Sequence, residues 1–130
     1  MVPEDLPKNI LDFIKDRIDS VEQLSVLLLL YTKPEILWTT SEIAKELRST
    51  VPSITKRLND LYTRGVLVRM HETKDIHKFK PSSADIEELV ASLATQNRIR
   101  PYKVVDSIYS QPTTILQQFA DAFKLRGGKS

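Results

Sequence analysis

Residues 39–79, TTSEIAKELRSTVPSITKRLNDLYTRGVLVRMHETKDIHKF, constrain this chain more than any other stretch. Thr39 with Glu42 three residues later forms a capping-box pattern and opens a helix over 40–48. Ile43, Ala44 and Leu47 form its apolar face. Arg48, Ser49 and Thr50 make a tight polar break. Pro52 suits the first turn of a second helix, where its missing N–H loses no intrahelical partner. That helix runs to about residue 64, with Ile54, Leu58 and Leu61 on one side. Gly65 fits the position just past its end. Residues 66–71 and 76–80 then read as paired strands around a turn that contains no glycine.

The flanks are helical in pattern. Ile10, Ile14 and Ile18 recur every four residues in a helix over 6–18, and Leu11 and Phe13 widen the stripe. Ser20 with Gln23 forms a second capping-box pattern for a helix over 21–32, whose VLLLLY half reads as buried all round. Residues 36–38 form a short strand-like run lying against the hairpin, with Trp38 as a packing residue whose ring N–H needs a partner. Ser82 and Asp85 are the expected caps of a helix over 83–97. Further helices are expected over 102–110 and 112–125, and a frayed tail over 127–130.

Charge is distributed unevenly. Residues 1–35 hold four Lys/Arg against seven Asp/Glu, while residues 36–80 hold nine against five. The positive surplus therefore falls on the two-helix segment, where contact with phosphate would need it; a solvated basic face is the plain alternative. The chain has no cysteine, which excludes disulfides and thiolate chemistry and is compatible with a reducing cytoplasm. Its longest apolar run is too short to span a bilayer, and the acidic start does not resemble a signal peptide. Only three glycines are present, so a phosphate-binding glycine loop is not available, and no serine sits in a nucleophile-elbow pattern. No catalytic constellation, cofactor site or metal site is expected. His71 and His77 lie near Glu72 and Asp75, but no regularly spaced third ligand accompanies them.

At 100° per residue, the face of the second helix opposite Ile54, Leu58 and Leu61 carries Pro52, Lys56, Asn59 and Thr63. Lys56 and Asn59 are the expected base-edge contacts, lysine to guanine and asparagine bidentate to adenine. Ser53 and Thr55 are placed to reach phosphate or a base near the helix start. Thr39 and Thr40 are expected to anchor backbone phosphates, as are Arg57 and Arg64. The hairpin offers Arg69, Lys74, His77 and Lys78 to the adjacent backbone or minor groove.

The runs Glu42-Ile43-Ala44, Ser53 through Leu58, and Leu61 through Leu67 carry a family resemblance. Residues 20–81 resemble winged helix-turn-helix transcriptional regulators of the broad MarR/ArsR-like group. The resemblance implies a mostly α fold with a small β-wing, a winged helix-turn-helix with additional N- and C-terminal helices. It implies a domain at 20–81 that binds double-stranded DNA. In such proteins terminal helices form a dimer interface, so residues 1–19 and 82–126 are the expected homodimerisation segments. Their apolar residues Ile10, Ile14, Val105, Ile108, Ile115, Phe119 and Phe123 would then face the second copy, unless these helices fold back and complete a monomeric core. The expected location is cytoplasmic and nucleoid-associated, with a small-molecule effector left open. The competing function is a winged helix used as a protein-interaction module, which would show apolar residues on the exposed helix face.

Overall fold

The computed structural model describes residues 5–110. The expected helix over 112–125, with Ile115, Phe119 and Phe123, lies outside the described residues, as does the tail. Among the described residues there are six helices: α1 (Lys8–Arg17), α2 (Val21–Thr32), α3 (Thr40–Glu46), α4 (Val51–Thr63), α5 (Ala84–Ile99) and α6 (Pro101–Tyr109). Each falls within two residues of its expected bounds, because the caps that end it are written locally. Thr39 and Glu42 form both halves of the capping box on α3, at 3.1 and 2.9 Å. Thr50 caps α4 by accepting from the Ser53 N–H. On α2 only half of the expected box forms. Ser20 accepts from the Gln23 N–H, but the Gln23 amide reaches past the cap to the Asp19 N–H and the Arg17 carbonyl. Ser83 caps α5 in place of Ser82, whose hydroxyl donates to the Gly65 carbonyl.

Residues from all six helices share one core. Leu27, Leu30, Ile43, Ile54 and Leu61 are fully buried where α2, α3 and α4 meet. α1 closes the other side against α5 and α6, burying Ile10, Ile14, Val90, Leu93, Val104 and Ile108. The expectation that Ile10, Ile14 and Ile108 face a second copy is therefore corrected. Their stripes are consumed within one chain, where α1 packs against α5 and α6.

The β component is smaller than expected. Among the described residues it consists of two isolated bridges, Trp38 with His77 and Leu67 with Pro81. Val68 N–H donates to the Lys80 carbonyl at 2.8 Å and Ser82 N–H to the Val66 carbonyl at 3.2 Å, so the hairpin pairs only at its base. Pro81 has no N–H to extend that ladder. At the tip, the His71 ring accepts from the Thr73 and Lys74 N–H groups, and this side chain closes the turn where glycine is lacking. Trp38 exchanges both backbone hydrogen bonds with His77 at 2.8 Å, as a strand against the hairpin should. Its buried ring N–H, however, has no hydrogen-bond partner among the described residues, contrary to expectation.

Two left-handed residues set the frame of α4. Arg48 (φ 55°) turns the chain after α3, and Gly65 (φ 75°) turns it after α4. A Cβ on Gly65 would lie 3.1 Å from Arg17 Nη1, which donates to the Arg64 carbonyl at 2.7 Å. Gly65→Ala is expected to lower stability by about 1–2 kcal/mol through the left-handed backbone, as read by urea unfolding.

Candidate nucleic-acid interface

α4 buries Ile54, Leu58 and Leu61 and turns Pro52, Thr55, Lys56, Asn59 and Thr63 to solvent, as the helical periodicity requires. The Lys56 side chain is 66% exposed and only loosely tethered to Asp60, at 3.7 Å. Thr63 bonds back to the Asn59 carbonyl at 2.8 Å. The hairpin lies alongside this face. Between them is a cleft of roughly 390 Å³ bordered by Thr55, Asn59, Arg69, Thr73 and Lys74.

Three of the residues expected to contact DNA are half-buried and bonded to partners within the chain instead. Ser53 and Arg57 both reach the Glu22 carboxylate on α2, Arg57 Nε at 2.9 Å, and Ser49 donates to its other oxygen. Burial raises the Glu22 pKa, but the donors Ser49, Ser53 and Arg57 together outweigh it and hold the carboxyl below its ordinary value. Arg64 pairs with Asp19 at 2.6 Å. The acidic first third of the chain thus neutralises part of the basic second third within the molecule. That pairing of charge blocks is the sequence signal by which Glu22 and Asp19 could have been found.

Thr40 and His77 are also removed from the outer surface. Both are buried, at 8% and 5% exposure. Asp75 holds Thr40 through its N–H at 3.0 Å and its hydroxyl at 2.6 Å, and it holds His77 Nε2 at 2.7 Å. A carboxylate only accepts, so Nε2 carries a proton toward Asp75, and Nδ1 shares a hydrogen bond with the Tyr62 hydroxyl at 2.5 Å. Burial raises the Asp75 pKa, and its hydrogen bonds from Thr40 and His77 more than reverse the shift. Burial pushes the Tyr62 phenol up to about 12. The alternation of residues 76–80 put His77 on the hairpin without telling which side it faced. The structure puts it on the side packed against α3 and α4.

The remaining expected residues stay accessible. Thr55, Lys56, Asn59, Arg69 and Lys74 are exposed, and Thr39 and Lys78 are half-buried. Arg69 Nη2 donates to Asn59 Oδ1 at 2.8 Å, and its guanidinium lies 4.4 Å from the Tyr62 ring centroid. Comparison of the chain with protein-family models, curated proteins and solved structures returns no match. No helix among the described residues is long and apolar enough to cross a membrane.

Proposed function

We propose that this protein is a sequence-specific, double-stranded-DNA-binding transcriptional regulator of winged helix-turn-helix type. α4 enters the major groove, and residues 66–80 lie over flanking backbone or minor groove. The observation that carries this reading is the outer face of α4. It is polar and donor-rich, with Thr55, Lys56 and Asn59 exposed and with Arg69 and Lys74 beside them. Thr39, at the start of α3, and Lys78 supply phosphate contacts.

A homodimer completes the proposal. The outer face of α6 carries Tyr102 and Tyr109, 88% and 63% exposed, with Val105 between them beside a cleft of roughly 630 Å³. Two copies joined there would read two half-sites related by two-fold symmetry. A protein-interaction module is the second reading. It is favoured by the exposure of Val51 on α4 and of Val68 and Met70 on the hairpin.

Selection from a randomised duplex pool at two salt concentrations separates them. A palindromic motif with steep salt dependence supports the dimeric regulator. Weak binding with no motif supports the interaction module. Lys56→Ala is expected to weaken the selected site by about 1–3 kcal/mol and to relax one base position. Lys78→Ala is expected to weaken all sequences alike and to reduce the salt slope by about one.

A further inference from the structure

Asn59 is not free to present its side chain either way round. Arginine carries only donors, so the amide atom facing Arg69 Nη2 at 2.8 Å is the oxygen, and the NH₂ group is turned away. Arg69 is held in its turn. Its guanidinium rests 4.4 Å from the centroid of the Tyr62 ring, a cation–π contact. Tyr62 is stacked on His77 with centroids 5.8 Å apart and bonded to it through its hydroxyl. His77 is buried and fixed by Asp75, which also holds Thr40. A continuous series of contacts runs from the start of α3, through the hairpin, to the amide of Asn59.

The chemical consequence concerns which bases this face accepts. Asparagine reads adenine by accepting from N6 through its oxygen while donating to N7. Here a charged guanidinium already takes one of the oxygen's two lone pairs, a hydrogen bond of the stronger, charge-assisted kind, and its positive charge disfavours adenine N6 as a second donor on the other. The other group of the amide is a donor. Lys56, about one turn earlier on the same face, is donor only, and the remaining N–H groups of Arg69 add more. Guanine is the base whose major-groove edge offers two acceptors, N7 and O6, and no donor.

We infer that the α4 face selects guanine at the positions facing Lys56 and Asn59, and that Arg69 is the positioning residue that turns Asn59 from adenine to guanine. The inference rests on the DNA-binding reading above. It reassigns Asn59, whose expected partner was adenine, and Arg69, whose expected partner was the adjacent backbone or minor groove.

The test is selection from a randomised duplex pool with the full chain, its Arg69→Ala variant and its Asn59→Ala variant. All three are first checked for unchanged helical circular dichroism, which exposed positions should preserve. The wild type should enrich guanine at two neighbouring positions. Arg69→Ala should free the Asn59 oxygen and raise the adenine-to-guanine ratio at one of them about tenfold, a change of the size expected for one bidentate contact. Asn59→Ala should erase preference at that same position and keep guanine at the other. A wild-type motif with adenine at the Asn59 position overturns the inference. So does an Arg69→Ala variant with an unchanged motif, a uniformly weaker affinity and a shallower salt slope, since that is the behaviour of a phosphate contact. A wild-type pool with no motif at all removes the DNA reading itself, and this inference with it.

Discussion

Ile14→Ala is expected to destabilise the protein by about 2–5 kcal/mol, and by the same amount at any protein concentration. Ile14 is 0% exposed within a single chain, on the side of α1 that packs against α5 and α6. Truncating it removes buried methyl groups and leaves a cavity that three helices cannot easily collapse around. Urea unfolding at two protein concentrations a hundredfold apart checks this. A small loss at high concentration that grows on dilution would instead place Ile14 between two copies, because the stability of an interface depends on concentration.

Glu22→Gln is expected to cost about 2–3 kcal/mol at neutral pH, in keeping with the loss of several hydrogen bonds to a charged acceptor. One carboxylate receives Ser49, Ser53 and Arg57, so a single change weakens the link between α2, the α3–α4 turn and the first turns of α4. Its side chain is 27% exposed and that of Arg57 is 22% exposed, and this partial shielding keeps the pair from being a merely solvated one. The pH dependence follows from the lowered pKa of Glu22. The contribution is fully present above the unfolded value of 4.5 and is lost as pH falls through the lower folded value. The gap between wild type and Glu22→Gln should therefore be widest near neutrality and close as the medium is acidified below about pH 4.5. Chemical denaturation at several pH values reads it directly. A gap that stays constant down to strongly acid pH would show that the ionised carboxylate is not what holds α4.

The helices were legible in the sequence because their information is local. Thr39 with Glu42, Pro52 and Gly65 each act within a few residues of themselves, and each appears where the pattern puts it. The polar outer face of α4 was legible for the same reason, since helical geometry fixes what lies opposite Ile54, Leu58 and Leu61. The partners of that face were not. Ser53 and Arg57 lie on the border between inside and outside, and the decision was made by Glu22, thirty-odd residues away in the chain. His77 was read as a surface residue offered to the backbone or minor groove because a two-residue period does not say which side of a hairpin meets the helices. The paired strands were overread, since β-type composition in 66–71 and 76–80 cannot show that Pro81 will sit at the pairing edge. The apolar stripes of α1 and α6 were correctly seen as stripes. Whether such a stripe meets its own chain or another is a property of packing, and Ile10, Ile14 and Ile108 meet their own.

The end of α4 is fastened by residues that precede it by far. Arg17 donates to the Arg64 carbonyl across 47 residues, and Asp19 takes the Arg64 guanidinium across 45. Contacts of that span require a long loop to close before they return any stabilisation. The α3–α4 pair is made of neighbouring residues, whereas the C-terminal end of α4 is also tied to the distant end of α1 and the turn after it. The C-terminal end of α4 is thus held by long-range contacts, while its first turn carries a local cap from Thr50.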